Sequence, residues 1–217
     1  VTFPVHGLSG QVIAFGARTL KSDKKLPKYF NSPESALYVK SRSLYGIHFA
    51  KKSIADSGIC CLVEGYTDVI SLHQAGVHNV VASSGTSLTE DQVRLIKRYA
   101  QQVTILYDGD PAGIKASLRG IDLILAEGLG VKVVLFPDGE DPDSFARTRP
   151  SAEVEAYLRD SAKDFLAFKT ELLVADTEGD PVKKAAAIHD IVESIAKIPD
   201  QVLRQLYIKQ CSRLLEV

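Results

Sequence analysis

Short apolar runs recur through the middle of the chain. Four predominantly apolar runs lie at 59–63, 77–82, 103–107 and 131–136. Each is five or six residues long, which is too short for a typical helix and typical of a strand. Because such runs are typical of strands that are covered on both faces, they predict the central strands of a sheet buried between two layers.

Helical patterns separate these predicted strands. Residues 66–75 carry apolar positions at helical spacing and are followed by Gly76, the residue type that most often ends a helix. A capping box over 87–90 predicts a helix to about residue 100, and 111–127 form a longer amphipathic pattern. Strands that alternate with helices predict a parallel sheet with right-handed crossovers, which is an α/β fold.

The two flanks of this region have different patterns. Residues 11–15 predict a strand, and a loop-rich stretch follows it through residue 35. From residue 151 the strand signals end, and two or three helices are expected, with breaks at 177–180 and at Pro199. We therefore expect an α+β segment, a sheet domain and a helical subdomain, over 1–52, 53–150 and 151–217 respectively.

The composition is that of a globular protein. Hydrophobic residues make up 45% of the 217 positions and charged residues 24%, which excludes disordered and collagen-like classes. No apolar run reaches the roughly 18 residues of a membrane span, so we expect no membrane segment. The three cysteines have no zinc spacing, and their small number favours a cytoplasmic compartment. The chain has no methionine, not even at position 1, so we expect a piece of a longer protein.

The formal charge of −1 conceals an uneven distribution. Residues 1–52 carry a net charge of +7, whereas 53–150 carry −5 and 151–217 carry −3. A total near zero disfavours a nucleic-acid binder at first sight, but a basic block attracts phosphates wherever it is exposed. The charge pattern therefore permits a nucleic-acid surface beside an acidic region.

Carboxylates follow three of the four predicted strands. Glu64 follows the first, Asp108 and Asp110 follow the third, and an acidic group at 138–143 follows the fourth. The carboxyl ends of parallel strands form the ligand-binding edge of such a sheet. Like charges there repel one another, and Mg²⁺ would relieve this because it binds carboxylate oxygens and bridges to phosphates. The pattern predicts a divalent-metal site at this edge.

Each of these acidic residues also has a second interpretation. Aspartates after strands often cap helices or form turns, and Asp138 with Gly139 fits ordinary turn chemistry. Other catalytic arrangements find less support, because the five histidines are scattered and Ser83 and Ser84 have no matching His and Asp. Tyr66 could serve as a topoisomerase nucleophile, but its place at a predicted strand-to-helix turn favours a structural role.

Several motifs in this arrangement resemble a known family. Glu-Gly-Tyr at 64–66, Ser-Gly-Thr at 84–86 and Asp-Gly-Asp at 108–110 resemble the Toprim fold, which topoisomerases, bacterial primases and some nucleases share. Two more motifs are similar to bacterial replicative primases of the DnaG type, namely PKYFNSPE at 27–34 and FPDGEDPD at 136–143. The resemblance covers most of residues 1–150, with weaker signals in the helical subdomain.

The resemblance implies roles for particular residues. Glu64, Asp108 and Asp110 would hold catalytic Mg²⁺, for which Mn²⁺ would substitute, although Glu64 stays open between metal ligand and general acid or base. Thr67 departs from the apolar residue expected within the Glu-Gly-Tyr-x-Asp motif, but this departure leaves both carboxylates of the motif in place. The acidic residues that would support the metal are Asp68, Asp141 and Asp143, and the surface that would meet nucleotide or template contains Arg18, Lys28, Asn31 and Lys40.

The resemblance also implies a function and partners. We expect a primase core that joins nucleoside triphosphates into short RNA primers on single-stranded DNA, in a monomeric fragment. Zinc and the replicative helicase would bind to domains outside this chain, at the amino and carboxyl ends respectively. The alternatives are a Toprim nuclease or topoisomerase fragment, and an inert nucleic-acid-binding module.

Overall fold

The strands of the protein form two sheets. A computed structural model describes residues 1–20, 27–85, 87–108, 110–137, 139–175 and 180–215. Within these residues one sheet has three strands and the other has five. Helices cover both faces of the larger sheet, as expected for the predicted α/β fold.

The smaller sheet is antiparallel and lies at the start of the chain. Its strands are β1 (Thr2–His6), β2 (Val12–Arg18) and β3 (Tyr29–Asn31). The strand predicted at 11–15 is confirmed as β2. A loop was predicted after β2, and this prediction was wrong for β3. Three residues are too few to produce a strand periodicity, and they are extended because they pair with β2.

The larger sheet has the strand order β5-β4-β6-β7-β8. Its strands are β4 (Ile59–Val63), β5 (Val80–Ala82), β6 (Gln102–Tyr107), β7 (Gly130–Leu135) and β8 (Lys163–Asp164). The first four are parallel, as predicted, and β8 pairs antiparallel with β7. The predicted run at 77–82 is a strand only in its last three residues, because the Val77 amide donates to the Leu72 carbonyl and closes the preceding helix.

The helices connect these strands and then continue to the end of the described chain. They are α1 (Ile47–Ser57), α2 (Tyr66–Gln74), α3 (Glu90–Lys97), α4 (Pro111–Ala126), α5 (Pro142–Thr148), α6 (Ser151–Asp160), α7 (Phe165–Ala175), α8 (Pro181–Ala196) and α9 (Gln201–Leu215). None of these described helices has the length and apolar character of a membrane span. The helices predicted at 66–75 and 111–127 are confirmed as α2 and α4.

Two helical predictions need correction. The capping box lies two residues later than predicted, because Thr89 accepts from the Gln92 amide and the Gln92 side chain accepts from the Thr89 amide, both at 3.2 Å. Four helices follow residue 150 rather than two or three, since the short β8 turn that separates α6 from α7 has no strong breaker residue. The predicted break at 177–180 lies outside the described residues except for Asp180, which caps α8, and the break at Pro199 is confirmed between α8 and α9.

The core consists of two apolar layers, one on each face of the larger sheet. Cys60 and Leu62 of β4 point into the layer covered by α1, α3, α4 and the helices α7 to α9. Cys61 and Val63 point into the opposite layer, which α2, α5 and α6 cover. The unbroken apolar character of β4 follows from this two-sided burial.

A buried lysine connects the last helices to the sheet domain. Lys169 of α7 is 2% exposed, and its ammonium group lies 2.6 Å from both Asp190 and the Ser194 hydroxyl of α8. Asp122 of α4 lies 3.7 Å from the same ammonium group and also pairs with Lys197. These contacts hold α4, α7 and α8 together through charged groups as well as through apolar packing.

The smaller sheet is held against the larger one by a tyrosine pair. The backbone of Tyr45 exchanges two hydrogen bonds with Ala82 of β5, at 2.8 and 3.0 Å. The Tyr66 ring stacks on Phe3 of β1, with ring centres 5.0 Å apart. The Tyr66 hydroxyl donates to Asn31 of β3 at 2.7 Å. These contacts bring β3 to the carboxyl ends of β4 and β5.

Candidate active site

Two cavities meet at the carboxyl ends of β4 and β6. The first, which we call the α4 cavity, has a volume of 550 Å³ and is lined by Glu64, Asp108, Asp110 and one face of α4. The second, the β3 cavity, has a volume of 330 Å³ and is lined by Glu64, Asp108, Asp68, Asp141 and residues of β3. Glu64 and Asp108 therefore lie where the two cavities join.

Strand order explains how these carboxylates come together. Glu64 directly follows β4 and Asp108 directly follows β6, and these two strands are paired neighbours in the sheet. Asp110 is the N-cap of α4, and its carboxylate accepts from the Gly113 amide at 2.7 Å. The same carboxylate thus caps the helix and lines the α4 cavity, which reconciles the two interpretations that the sequence left open.

The acidic groups at this junction destabilise one another's charged forms. Burial raises the pKa of Glu64 above its ordinary value, and the charges of Asp108 and Asp110 raise it further. Burial also raises the pKa of Asp108, with the charges of Asp141 and Asp110 adding to the effect. A nearby cation would remove this repulsion.

Asp68 is the most strongly perturbed carboxylate of the site. Burial raises its pKa to about 7, and the charges of Asp141, Asp108 and Asp143 contribute in the same direction. The amide of Gly65 donates to the Asp68 carboxylate at 2.8 Å, which lowers the pKa only in part. Asp68 is therefore held as a proton-sensitive group beside Glu64 and Asp108.

Asp141 and Asp143 differ in their surroundings. Asp141 is the N-cap of α5, where it accepts from the Ser144 amide at 2.7 Å, and it also lines the β3 cavity. Asp143 accepts from the Ser71 hydroxyl of α2, and it lies 3.9 Å from Arg147. Asp143 thus joins α5 to α2 beneath the cavity rather than lining it.

The donor chemistry of the junction fits a divalent cation. Glu64, Asp108 and Asp110 provide only carboxylate oxygens, and Mg²⁺ binds through one or two carboxylates while it keeps several waters. In the part of the chain that the structure describes, no group of three His, Cys, Asp or Glu side chains is close enough together to hold a metal ion without further ligands. The carboxylates therefore share an open cavity with room for water and phosphate, and they do not form a protein-only coordination shell.

Comparisons with known proteins identify related chains. Family models match residues 1–51 (DNA primase catalytic core, N-terminal domain), 61–146 (Toprim-like) and 167–217 (DnaB-helicase binding domain of primase). The DNA primase of Clostridium acetobutylicum is 43% identical over 220 residues, covering 98% of this chain and 35% of that protein. The chain thus spans about a third of the length of this curated relative.

Solved structures cover the chain more completely. The Escherichia coli primase catalytic core is 34% identical, with a TM-score of 0.88, and the match covers 100% of this chain and 70% of that one. The chain belongs to the DnaG primase family. A DnaG catalytic domain solved with bound single-stranded DNA is also 34% identical, with a TM-score of 0.85 and a match over 98% of this chain and 69% of that one.

Within the primase family, the third matched model bears on helicase binding. Its description names the DnaB helicase, and it matches residues 167–217, which contain most of α7 and all of α8 and α9. The sequence prediction placed the helicase contact in a domain outside the chain. This match lies inside the chain, in the helical subdomain, to which the sequence analysis assigned no helicase contact.

The basic residues of the predicted primase surface lie at different distances from the cavities. Asn31 lines the β3 cavity, accepts from the Tyr66 hydroxyl and donates to the Ser84 carbonyl. Arg18 lies over the ring of Tyr29, which lines the same cavity. The described residues Lys28 and Lys40 line neither cavity. Of the motif positions, Thr86, Gly109 and Asp138 lie outside the described residues.

Tyr66 has a structural role in this primase fold. Burial raises its pKa to about 12, with the neighbouring Tyr38 and Tyr45 adding to the effect. Its hydroxyl is already engaged with Asn31. A phenol that is buried, protonated and hydrogen-bonded is a poor nucleophile, which argues against a topoisomerase-type tyrosine.

Sequence reasoning missed one basic residue that lies beside the three carboxylates. Arg119 of α4 lines the α4 cavity together with the three carboxylates. A signal was present, because Gly113, Ala116, Gly120 and Leu123 recur at helical spacing along α4 and line the same cavity. Small residues on one face of α4 leave a groove beside the helix, and Arg119 lines this groove.

Proposed function

We propose that this chain forms the Toprim and helical part of a DNA primase core, which joins ribonucleoside triphosphates into primers on single-stranded DNA. One observation carries the proposal. Glu64, Asp108 and Asp110 lie at neighbouring strand ends around one cavity, in a chain of the DnaG family.

In this proposal the three carboxylates hold the catalytic cation. Bound Mg²⁺, or Mn²⁺ in its place, would stabilise the attacking and leaving oxygens of the phosphoryl transfer. The pKa values of Glu64 and Asp108, which burial raises and the neighbouring carboxylates raise further, support this assignment, because a bound cation would stabilise both charged forms. Asp68 and Asp141 border the same junction and would hold water or the cation from the β3 side.

The basic block of residues 1–52 would meet the phosphates. Its net charge of +7 complements template and triphosphate, and a related catalytic domain has been solved with single-stranded DNA. Asn31 and Arg18 adjoin the β3 cavity and would contact the triphosphate. Lys28 and Lys40 line neither cavity, so we assign them to the template strand.

The proposed partners extend beyond the site. We assign a helicase contact to residues 167–217 on the basis of the matched family description. We place zinc in a domain outside this chain, the reaction in the bacterial cytoplasm, and the chain in a monomeric core. The three units 1–52, 53–150 and 151–217 remain a prediction.

The decisive experiment replaces one carboxylate in the full chain that the gene encodes. Primer synthesis on single-stranded DNA is measured with radiolabelled nucleoside triphosphates and Mg²⁺ for the wild type, Asp108→Asn and Asp56→Asn. Asp56 is an exposed residue of α1 and serves as the matched control. We expect Asp108→Asn to lose more than about 99% of the activity, as removal of a central electrostatic group does, while Asp56→Asn keeps it.

Other outcomes would favour the alternative functions, a nuclease or an inert binding module. Full activity of a folded Asp108→Asn protein would remove this residue from the site. Nicking of supercoiled DNA in Mg²⁺ without nucleotides would favour a nuclease. Absence of both activities, together with no Mn²⁺ binding by calorimetry, would favour an inert binding module.

A further inference from the structure

The two cavities at the junction are separate but share two carboxylates. The α4 cavity of 550 Å³ and the β3 cavity of 330 Å³ are both lined by Glu64 and Asp108. Gly85 also lines both cavities, and the segment after β5 contributes to each. Otherwise the α4 cavity is lined mainly by α4 and by residues before α3, and the β3 cavity mainly by β3 and α2. Two substrates can therefore reach the same carboxylates from different sides.

Joining two nucleotides requires this kind of arrangement. The 3′-oxygen of one nucleotide forms a bond to the α-phosphorus of the other, and the bond from that phosphorus to its bridging oxygen breaks. Pyrophosphate leaves with the electron pair, and the proton of the 3′-hydroxyl goes to water. Because attack is in line with the leaving group, the nucleotide that provides the 3′-oxygen must lie on the side of the α-phosphorus opposite the departing pyrophosphate.

We propose that the α4 cavity binds the nucleotide that provides the attacking 3′-hydroxyl, and that Arg119 binds the 5′-phosphate of this nucleotide. This inference rests on the proposed function and deepens it. The other nucleotide, the triphosphate under attack, then occupies the β3 cavity.

The linings support this division. The β3 cavity adjoins the basic block through Asn31 and through Tyr29, on which Arg18 lies, and a triphosphate with its higher charge fits that side. The α4 cavity has apolar walls from Leu88 and Leu123, against which a base or sugar can pack. Its volume lies within the range of about 300–1,000 Å³ that is usual for small-molecule sites.

Among the side chains that the structure describes around the α4 cavity, that of Arg119 is the one lysine or arginine. It is exposed, and within the described part of the chain no carboxylate pairs with it. A guanidinium group with unused donors is well suited to bind a phosphate with two hydrogen bonds. Arg119 is thus available for a ligand rather than committed to the fold.

Arg119 lies farther along α4 than the carboxylates, and its long side chain can shorten that separation. Arg119 lies nine residues after Asp110, which is about 13 Å along the helix axis. A helical side chain leans toward the amino end of its helix, so the guanidinium group extends back toward the carboxylates. A nucleotide whose 3′-hydroxyl lies at the carboxylates then directs its 5′-phosphate toward Arg119.

The stripe of small residues on α4 makes the space for this nucleotide. Gly113, Ala116 and Gly120 all line the α4 cavity. A Cβ atom at Gly120 would lie 3.3 Å from Ile105 and 3.8 Å from Leu88. Larger side chains along this face would therefore fill the groove between α4 and the segment that carries Leu88.

The test removes either the guanidinium group of Arg119 or the phosphate group of the ligand. The full chain is compared with Arg119→Ala, Arg119→Lys and the control Arg98→Ala, an exposed arginine that contacts the ring of Tyr99 and lines neither cavity. Binding of adenosine 5′-monophosphate and of adenosine is measured by calorimetry in Mg²⁺. Primer synthesis is then measured while the starting and the added nucleotide are varied separately, and melting curves verify that each variant folds.

We expect the wild type and Arg98→Ala to bind the monophosphate about tenfold more tightly than adenosine, as a charge-assisted contact provides. Arg119→Ala should lose this preference, and Arg119→Lys should regain part of it. In synthesis, Arg119→Ala should raise the KM for the starting nucleotide about tenfold and leave the KM for the added one unchanged.

Three outcomes overturn the inference. The preference for the monophosphate persists in Arg119→Ala, or the KM for the added nucleotide rises instead, or neither constant changes. A wild type that makes no primers at all would overturn the proposed function, whereas the binding comparison would still decide whether Arg119 binds a phosphate.

Discussion

Gly113 lies directly against the main chain of Asp108. A Cβ atom at Gly113 would overlap the Asp108 carbonyl oxygen and come within 3.2 Å of its amide nitrogen. The first turn of α4 therefore approaches the end of β6 more closely than any residue with a side chain permits. This contact determines where the Asp108 carboxylate stands relative to Asp110.

Replacing Gly113 by alanine should damage the site more than the fold. We expect Gly113→Ala to destabilise the protein by about 1–3 kcal/mol, as overpacking does, and to reduce primer synthesis at least tenfold because Asp108 must move. Urea denaturation and the primer assay check the two effects. Gly130→Ala is the control, because a Cβ there meets its neighbours only at 3.6 Å or more; equal effects of the two variants would contradict the prediction.

Lys169→Met tests the buried ionic contacts between α4, α7 and α8. Because Lys169 is 2% exposed and its loss removes the cation beside Asp190 and Asp122, we expect a destabilisation of about 2–4 kcal/mol. The exposed pair of Lys163 with Glu171 provides the comparison. Lys163→Met should cost less than about 1 kcal/mol, and chemical denaturation that finds the two variants alike would refute the distinction.

The Asp122 carboxylate should make the stability of the protein fall as the pH becomes acidic. Burial raises its pKa, but the bonds from Lys197 and Ser194 and the charge of Lys169 outweigh this, so its pKa lies below the ordinary 3.8. The carboxylate therefore stabilises the fold above pH 3.8, and this contribution is lost as the pH falls through the lower pKa of the folded state. Urea midpoints from pH 6 to pH 2.5 should fall less steeply in Asp122→Asn than in the wild type.

Asp68 should make the stability of the protein fall as the pH rises, which is the opposite of the effect of Asp122. Its pKa in the folded state is about 7 against an ordinary 3.8, so its contribution to stability is complete below pH 3.8 and is lost as the pH rises to about 7. Without divalent cations, Asp68→Asn should therefore be more stable than the wild type at pH 8, by about 2–3 kcal/mol. Denaturation in chelator at pH 5 and pH 8 measures this gain, which should be small at pH 5.

The matched variant for Asp68 is Asp56→Asn, which changes an exposed carboxylate of α1. It should leave stability unchanged at both pH values. If Asp68→Asn and Asp56→Asn behave alike at pH 8, burial does not hold the Asp68 carboxyl protonated. A loss of primer synthesis in the more stable Asp68→Asn protein would show that the strain at this position serves the reaction.

Local patterns were sufficient to predict the sheet and the carboxylates around it. The apolar run of β4 needed no tertiary information, because burial on both faces leaves no polar position. The location rule for parallel sheets then brought Glu64 and Asp108 to one edge, and the structure has them lining a shared cavity.

Features that depend on tertiary contacts were beyond these patterns. β3 and β8 have three and two residues, too few for a periodicity, and each exists because a longer strand lies beside it. The true cap of α3 differs from the predicted one because Gln92 also donates to the Lys40 and Ser43 carbonyls, which fixes its side chain. The place of Arg119 beside the carboxylates depends on the packing of α4 against the cavity, which no local pattern encodes.

The backbone pairing of Tyr45 with Ala82 has a consequence for how copies of the protein behave together. A sheet that ends in a bare strand offers unpaired amides and carbonyls to another chain, and such edges promote aggregation. At β5 both groups of Ala82 are already bonded to Tyr45, and at the opposite edge the outermost strand, β8, has only two residues. The segment around Tyr45 thus joins the two sheets and also blocks one edge against strand addition by a second molecule.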